Sequence, residues 1–430
     1  MPGPRAAAPL DRRKFVARIG AMAAAASFPA PMVAQAKPKL VVVGGGAGGA
    51  TVAKFVARDA NGAIEVSLVE PLRQFTTCFH SNLYLGGFRD WHSLTHSYDA
   101  LASRYGVKLV HQASEAIDRE RKAVRLNDGS QLSYDRLVVA SGIELKFDSV
   151  PGYSEAASQT MPHAWTPGAQ TQLLKRQLDS IEDGGLIVMI APPNPYRCPP
   201  APYERASMMA HVLKSKGHKS SLIVILDAKE SFADQALFQE GWERHYPGML
   251  EWQDPKIHGG IKHVDVASMT VETDLASYQA NLVNVIPAQI AGKVARDAGL
   301  ANESGYCAID PATMQSVMDA NVYVVGDACI AGEMPKSASS ANSQAKVAAS
   351  IIRGELTRTQ TSPASYSTSC WSLIESDDAV KVGGRYEPKS GKIAAVETFL
   401  SKTGESAALR RQTAMENMQW YADITADIFS

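Results

Sequence analysis

The sequence has no excess of charge of either sign and no long apolar run. Its 43 Lys and Arg residues nearly balance 44 Asp and Glu residues, which leaves a formal net charge of −1. A protein without a basic excess binds the phosphate backbone poorly, so we expect no nucleic-acid partner. No apolar stretch reaches about 18 residues, the length needed for a membrane-spanning helix. The 430 residues are enough for two or three soluble domains.

Cysteine is scarce, with five residues in the whole chain. None forms a Cys-x-x-Cys pair or a Cys-x-x-Cys-His motif, which argues against a structural zinc site and against a c-type haem on this chain. His92 and His96 are four positions apart, but no third ligand is near them. We interpret both as structural residues, and no metal site is expected.

The first 36 residues are predicted to be a twin-arginine export signal. Arg12 and Arg13 precede a weakly apolar, alanine-rich stretch, and Ala34-Gln35-Ala36 has the small-x-small pattern of a cleavage site. A disordered tail with a chance pair of arginines is the alternative. The twin-arginine route exports folded proteins to the periplasm, where disulfides persist.

A strand–turn–helix–strand pattern occurs twice, starting at Lys39 and again near Gly184. This pattern predicts an α/β fold with two Rossmann-like dinucleotide-binding domains. A smaller α+β domain follows a Thr/Ser-rich linker at 357–369. The predicted divisions are 37–150 with 287–356 for an FAD-binding domain, 151–286 for a second, NAD-like domain, and 357–430 for the C-terminal domain.

A dinucleotide site is predicted where the first unit turns from strand to helix. Gly44, Gly46 and Gly49 form a Gly-x-Gly-x-x-Gly motif. The first glycine permits the tight turn, the second lets a pyrophosphate approach the backbone, and the third lets helix and strand pack closely. Glu70 follows at about 20 residues, at the end of the second strand, where it can accept from a ribose hydroxyl. A glycine-rich turn without a ligand is the alternative.

Two further turns favour FAD over a nicotinamide cofactor. Gly326 and Asp327 follow a late strand and precede a long helix, as does the turn that holds the ribityl chain in flavoproteins with two dinucleotide domains. An ordinary Gly-Asp turn is the alternative. In the second unit the equivalent turn, residues 191–200, has prolines in place of glycines. Proline lacks the N–H that would hold a phosphate, so we predict that this domain does not bind NAD(P)H.

Three cysteines are candidates for redox chemistry. Cys198 lies in the proline-rich turn just before a predicted helix, whose N-terminus should lower the pKa of the thiol. Cys78 follows Glu70 in a loop expected near the flavin ring, where a thiol can bond to the flavin, although a plain buried cysteine is the alternative. Cys370 begins the third unit. Spacing alone does not decide its partner, nor whether Cys307 and Cys329 pair.

Several segments together resemble the flavoprotein subunit of flavocytochrome c sulfide dehydrogenase. This family belongs to the glutathione-reductase-like superfamily, which also includes sulfide:quinone oxidoreductases. The resemblance extends over nearly all of 37–430. The segments that carry it are 42–46, Thr77-Cys78, 197–206, 326–331, 334–337, 340–344 and 368–370.

The resemblance implies roles for particular residues. Cys78 matches the cysteine that holds FAD through a thioether to the 8α-methyl group, and Cys198 and Cys370 match a redox-active disulfide beside the flavin. Glu204 matches a carboxylate near that disulfide, and Trp420 matches an aromatic residue next to the flavin from the C-terminal unit. His80 departs from the pattern, because an apolar residue is expected there.

The implied reaction starts with hydrosulfide attacking the disulfide. The released thiolate passes its electron pair to the flavin, and Glu204 accepts or relays a proton. The reduced flavin then passes electrons one at a time to haem c on a separate cytochrome c subunit. The C-terminal domain would complete the flavin site and the partner interface. A sulfide:quinone oxidoreductase is disfavoured because the C-terminal tail lacks a long apolar stripe. A non-catalytic, flavin-bearing binding subunit with a static disulfide stays open.

Overall fold

Short apolar runs rich in valine, leucine and isoleucine form the buried strands. The computed structural model describes residues 1–4 and 36–430. The strands in this part of the chain are β1 (Lys39–Val43), β2 (Glu65–Val69), β3 (Gln74–Thr76), β4 (Thr95–Ser97), β5 (Lys108–Val110), β6 (Ser114–Asp118), β7 (Ala123–Leu126), β8 (Gln131–Ser133), β9 (Arg136–Val139), β10 (Ile143–Lys146), β11 (Leu186–Ala191), β12 (Leu222–Asp227), β13 (Leu250–Gln253), β14 (Ile261–Asp265), β15 (Thr270–Thr273), β16 (Ser277–Gln279), β17 (Leu282–Val285), β18 (Ala288–Ala291), β19 (Cys307–Ala308), β20 (Gln315–Ser316), β21 (Asp319–Val324), β22 (Cys329–Ile330), β23 (Tyr366–Glu375), β24 (Asp378–Lys389) and β25 (Lys392–Leu400).

The two longest helices of the described residues begin at serine caps. Ser337 and Ser406 each accept a backbone N–H of the first turn of the helix that follows. The α-helices of the described residues are α1 (Ala47–Ala60), α2 (Ser81–Leu85), α3 (Asp99–Tyr105), α4 (Ala169–Ser180), α5 (Ala201–Ser215), α6 (Gln235–His245), α7 (Pro255–His258), α8 (Lys293–Asp297), α9 (Ala338–Thr357) and α10 (Ala407–Phe429).

Two sheets with parallel strands form the two halves of the fold. The first has the order β20-β21-β9-β1-β2-β5, in which only the β20–β21 pair is antiparallel. The second has the order β13-β12-β11-β17 and is parallel throughout. Helices α1 and α9 pack against each other beside the first sheet. Because carboxyl ends of parallel strands meet at one edge, each sheet presents its strand-to-helix turns together, where ligands bind.

The C-terminal part of the chain forms a third layer. Strands β23, β24 and β25 make an antiparallel sheet, and α10 packs against β24 and β23. The linker predicted to end at 369 is shorter than expected. Strand β23 already begins at Tyr366, which is buried and pairs with Tyr386.

The predicted fold class is confirmed: the protein is α/β, with two Rossmann-like sheets and a smaller C-terminal layer. Helix α1 begins at Ala47, inside the glycine turn, so that Gly48 and Gly49 belong to its first turn. The predicted export signal covers 1–36, and its residues 5–35 lie outside the part of the chain that the structure describes. The divisions at 150, 286 and 356 stay predictions. In the part of the chain that the structure describes, no helix has the length and apolarity to span a membrane.

Candidate functional site

The glycine turn between β1 and α1 is too tight for side chains at two of its three motif glycines. A Cβ on Gly44, whose φ is +100°, would lie 2.4 Å from the Ala140 carbonyl oxygen. A Cβ on Gly49 would lie 1.8 Å from the Gly44 carbonyl oxygen, whereas one on Gly46 would meet nothing nearer than the Phe75 ring at 3.6 Å. Gly44 and Gly49 thus allow strand and helix to pack, and Gly46 leaves room for a ligand in the crevice that it lines.

Glu70 lies in the same crevice and is hydrogen-bonded to the glycine turn. Its carboxylate accepts the N–H of Gly45 at 2.8 Å and the N–H of Leu72 at 3.0 Å. An ionised carboxylate has about four acceptor positions. The two that remain suit a ribose hydroxyl.

Gly326 and Asp327 reach the crevice from the turn after β21. The Oδ1 atom of Asp327 is buried and has no hydrogen-bond partner among the residues that the structure describes. Burial raises the pKa of Asp327, while Arg197 and Lys336 act in the opposite direction. Lys336 donates to the carbonyls of Asp327 and Cys329 at 2.8 and 2.6 Å, which holds the turn in place. An unpartnered buried oxygen is costly unless a ligand hydroxyl meets it.

These residues fit FAD. The glycine turn offers backbone N–H groups at the start of α1 for a pyrophosphate, and Glu70 offers acceptors for a ribose. The orphaned oxygen of Asp327 offers an acceptor for the ribityl chain. The crevice continues to Ala338 and Ala341 at the start of α9, whose N-terminus favours negative charge.

Cys78 lies where this crevice meets a second cavity, and it lines both. The side chain is half-buried, just before α2. The loop around it is held by the Ser81 hydroxyl, which donates to the Cys78 carbonyl at 2.6 Å, and by a 2.9 Å contact between the Thr77 and Tyr421 hydroxyls.

The second cavity, which we call the sulfur cavity, brings the predicted redox residues together. Cys198, Cys370 and Glu204 line it, along with Cys78 and Trp420. The other residues that line it are Phe79, His80, Ser81, Asn82, Ala164, Trp165, Arg197, Ala201, Arg205, Ser337, Ala338, Ser339 and Trp371. All five cysteines are free thiols in this structure, and the pairing of Cys198 with Cys370 stays a prediction.

The lowered pKa predicted for Cys198 is wrong. Cys198 precedes α5, but burial raises the pKa of its thiol, and the neighbouring groups of Cys370 and Glu204 add to the rise. The positive charge of Arg197 opposes this without outweighing it. Burial also raises the pKa of Cys370 to about 11. Both sulfurs are therefore most stable uncharged, as thiols or as a disulfide.

Glu204 is a buried carboxylate suited to proton transfer near neutral pH. The side chain is 8% exposed, and burial raises its pKa to about 7. Hydrogen bonds from Asn82 Nδ2 to Oε2 and from the Leu373 N–H to Oε1, each 2.9 Å, act in the opposite direction. A group with a pKa close to the working pH both accepts and releases protons readily.

Aromatic rings form one wall of the sulfur cavity. The Trp420 ring lies 5.6 Å from that of Trp371 and 5.9 Å from that of Phe79, between ring centroids. The unexpected His80 belongs to this wall and stacks on Tyr421 with centroids 4.5 Å apart. Burial, with a smaller effect of a nearby arginine, lowers the pKa of His80 to about 3. The ring is therefore uncharged, and its Nε2 lies 2.8 Å from Asn417 Oδ1, within hydrogen-bond distance.

Sequence reasoning assigned no role to three residues of this site. Arg197 lines both cavities, and one of its guanidinium nitrogens lies 3.8 Å from Asp327. Arg197 directly precedes Cys198, and Trp371 directly follows Cys370. A neighbour of a predicted redox cysteine can be identified from the sequence as a candidate for the same site. Asn82 carried no such signal, because its partners are more than 100 residues away in the chain.

The second parallel sheet has an acidic residue where a nucleotide ribose would bind, but side chains of the protein itself already donate hydrogen bonds to its carboxylate. Asp227 ends β12 and is fully buried. Its carboxylate accepts from Tyr203 at 2.5 Å, Lys229 at 2.5 Å and Trp252 at 2.9 Å. The Tyr203 ring stacks on Phe232 at 3.6 Å. No three His, Cys, Asp or Glu side chains in residues 1–4 and 36–430 are placed to hold a metal ion.

The fold, the FAD crevice and the adjoining pair of cysteines define a flavoprotein of the pyridine nucleotide–disulfide oxidoreductase class. Residues 38–178 match the family model described as "Pyridine nucleotide-disulphide oxidoreductase". Residues 171–287 match "Sulfide dehydrogenase [flavocytochrome c] flavoprotein chain, central", and residues 362–429 match "Flavocytochrome c sulphide dehydrogenase, flavin-binding". The chain belongs to the family of flavocytochrome c sulfide dehydrogenase flavoprotein chains.

Individual relatives agree with this assignment. The "Sulfide dehydrogenase [flavocytochrome c] flavoprotein chain" of Chlorobaculum thiosulfatiphilum is 52% identical over 44 residues, which are 10% of this chain and 90% of that sequence. The mitochondrial sulfide:quinone oxidoreductase of Mus musculus is 22% identical over 302 residues, 67% of this chain and 65% of the mouse chain. The chain thus spans slightly less than two thirds of the mouse protein.

Among solved structures, the sulfide:quinone oxidoreductase of Aquifex aeolicus superimposes with a TM-score of 0.72. The sequence identity is 17%, and the alignment covers 91% of each chain. A likeness at this identity establishes the fold.

Proposed function

We propose that this chain is a sulfide dehydrogenase flavoprotein that oxidises hydrosulfide to elemental sulfur or polysulfide. One observation carries the proposal: Cys198, Cys370 and Glu204 line one cavity together with Cys78. Cys78 also lines the crevice that fits FAD, so the sulfur chemistry would take place beside the electron acceptor. The family, and relatives whose names refer to sulfide, support this choice of substrate.

The proposed reaction begins with Cys198 and Cys370 joined in a disulfide. Hydrosulfide, HS⁻, attacks one of the two sulfurs, forming a new S–S bond as the bond between the cysteines breaks. The products are one persulfide, –S–SH, and one thiolate that keeps the electron pair of the broken bond. When the disulfide re-forms, one sulfur atom, one proton and two electrons leave. The balance is HS⁻ → S + H⁺ + 2e⁻.

The surrounding side chains have separate tasks in this reaction. Glu204 takes the proton of the persulfide, because its pKa of about 7 lets it exchange protons at neutral pH. Arg197 stabilises the thiolate, since its positive charge favours the ionised form of Cys198. The aromatic wall around Trp420 excludes water, which strengthens both electrostatic effects.

FAD, when bound, would supply a two-electron acceptor that can be reoxidised in single-electron steps. The glycine turn, Glu70 and Asp327 would hold it, and Cys78 would attach it covalently through a thioether to the 8α-methyl group. The position of Cys78 at the meeting of crevice and sulfur cavity supports this attachment.

The electrons are proposed to leave to haem c on a cytochrome c partner subunit in the periplasm. The family name includes flavocytochrome c, which supports such a partner. The chain itself has no Cys-x-x-Cys-His motif for attaching haem c. Arg12 and Arg13, with the Ala34-Gln35-Ala36 cleavage pattern, support export by the twin-arginine route.

A sulfide:quinone oxidoreductase is the second candidate, favoured by the mouse and Aquifex comparisons. The two functions share the sulfur chemistry and differ in the acceptor. After anaerobic reduction by sulfide, rapid reoxidation by horse cytochrome c but not by a short-chain ubiquinone would support the cytochrome partner. The reverse preference would support the quinone enzyme.

The donor is tested by adding sulfide and NADH anaerobically to separate samples of the holoenzyme and following the visible absorbance of the flavin. We expect rapid bleaching by sulfide and none by NADH, because Asp227 is already bonded to Tyr203, Lys229 and Trp252. Bleaching by NADH alone would identify a pyridine-nucleotide reductase. No bleaching by either would favour a non-catalytic binding subunit.

A further inference from the structure

Asn82 contacts both Glu204 and the buried Arg205. It lies on α2, on the segment that follows Cys78, and is 5% exposed. Its Nδ2 donates to Glu204 Oε2 at 2.9 Å and to the Ala201 carbonyl at 3.0 Å. Its Oδ1 accepts from Arg205 Nε at 3.1 Å. One amide side chain therefore connects the segment that follows Cys78 to helix α5, which carries Glu204.

Arg205 determines which way this amide points. A guanidinium can only donate hydrogen bonds, so Asn82 must turn its oxygen to Arg205 and its NH₂ group to Glu204. Arg205 cannot turn away, because it is 2% exposed and donates to the carbonyls of His163 at 2.8 Å and Ala164 at 2.7 Å.

Both oxygens of Glu204 consequently face N–H donors, one from Asn82 and one from the Leu373 backbone. Donors aimed at a carboxylate favour its ionised form over the neutral acid. They also fix the plane of the carboxylate and leave its other lone pairs for the cavity. The Leu373 donor belongs to the backbone, so Asn82 is the side chain that supplies the second donor.

We infer that Asn82 is a positioning residue for the proposed sulfide oxidation, which orients the Glu204 carboxylate in the sulfur cavity and favours its ionised form. The kinetic part of this inference rests on the proposed function, whereas the protonation of Glu204 can be measured without sulfide. The charged and titratable groups that line the cavity around Glu204 are Arg205 and Arg197, Cys78, Cys198 and Cys370, and the uncharged His80.

The test uses Asn82→Asp in the oxidised holoenzyme. This variant keeps the side-chain shape and the bond to Arg205, but replaces the donor that faces Glu204 with an acceptor. We expect the pKa of Glu204 to rise by at least about one to two units, because a hydrogen bond to the charged group is lost and a second negative charge is placed beside it. An infrared pH titration follows the carbonyl stretch of the protonated acid. Each variant is compared with the same variant carrying Glu204→Gln. Asn82→Ala, which adds no second carboxyl to the site, gives the midpoint of Glu204 alone.

The kinetic readout is the limiting rate of flavin reduction at saturating sulfide, measured against pH. Saturation makes the profile report groups in the enzyme–substrate complex. The rate should rise with pH as Glu204 ionises, and the midpoint should move upward in Asn82→Asp by the shift seen in the infrared titration. A residue with only a structural role would change the rate without moving the midpoint.

Asn284→Asp is the matched control. Asn284 is fully buried and its Oδ1 accepts from Arg205 Nη1 at 3.2 Å, while its Nδ2 donates to the carbonyls of Pro162 and His163. We expect the pKa of Glu204 to move in Asn284→Asp by less than half of its movement in Asn82→Asp. An unchanged Glu204 midpoint in Asn82→Asp, or an equal shift in the control, would overturn the inference.

If Asn82→Asp does not fold, Asn82→Ala removes the same donor without adding charge and should move the infrared midpoint in the same direction. No upward movement in that variant would equally overturn the role of Asn82. Absence of flavin reduction by sulfide in the wild type would instead overturn the proposed function, and the infrared midpoint would still decide the role of Asn82.

Discussion

Replacing Glu204 by glutamine removes the negative charge of the side chain and nearly keeps its shape. Burial raises the pKa of Glu204 from 4.5 to about 7, so the folded chain binds this proton more tightly than the unfolded chain. Because the pKa is higher in the folded state, keeping the group ionised costs the folded state about 3 kcal/mol above pH 7. This cost declines as pH falls from 7 to 4.5, and Glu204→Gln removes it.

The amide introduces a cost of its own. Asn82 and the Leu373 backbone both donate to the carboxylate, but an amide has one acceptor oxygen, so its NH₂ must face one of these donors. That mismatch costs about 1–3 kcal/mol. At pH 8 the two effects nearly cancel, and the free energy of unfolding should stay within about 2 kcal/mol of the wild type. Chemical denaturation at several pH values should show a flatter pH dependence from 4.5 to 7.

The effect on activity should be much larger than the effect on stability. A positioned general base contributes about 10²- to 10⁴-fold, and the rate of flavin reduction by sulfide should fall by that factor. The acidic limb near pH 7 should vanish as well. Stopped-flow measurements with Glu333→Gln, an exposed ion-pair carboxylate outside both cavities, provide the control. A Glu204→Gln variant with the wild-type rate and pH profile would refute the role of this carboxylate.

Three further results are expected. Acid precipitation should leave the flavin with wild-type protein and release it from Cys78→Ser, and yellow colour in the wild-type supernatant would contradict the covalent link. Asp327→Asn, made in the Cys78→Ser background, should weaken FAD binding about 10- to 100-fold, because a charged hydrogen-bond acceptor is lost. Calorimetry measures the affinity, and an unchanged affinity would exclude Asp327 from the FAD site. Gly49→Ala should destabilise the fold by about 1–3 kcal/mol or more, because its Cβ would lie 1.8 Å from the Gly44 oxygen. Gly46→Ala should instead lower FAD occupancy with little effect on the free energy of unfolding, and equal destabilisation by the two variants would contradict the assigned glycine roles.

Features determined by neighbours in the chain were predictable from the sequence. The strand, the glycine turn and helix α1 are contiguous, and the tight contact at Gly49 is made with Gly44 in the same turn. The proline-rich turn before α5 is equally local. The pattern of apolar runs also predicted both parallel sheets, because buried parallel strands are continuous apolar segments.

Features determined by distant parts of the chain were not predictable in the same way. The pKa of Cys198 was misjudged, because its burial and the groups of Cys370 and Glu204 outweigh the helix N-terminus. The contact of Asn82 with Glu204 spans 122 positions. Cys307 and Cys329 illustrate the same limit, since the pairing of the short strands β19 and β22, which places them side by side, does not show in their spacing along the chain.

The most direct test of the account is anaerobic reduction of the flavin by sulfide in Cys198→Ser and Cys370→Ser holoenzymes. The control is Cys307→Ser, a buried cysteine that does not line the sulfur cavity. Both cavity variants should retain their flavin and lose rapid bleaching, and the control should bleach like the wild type. Rapid bleaching in either cavity variant would contradict oxidation of sulfide through a Cys198–Cys370 disulfide.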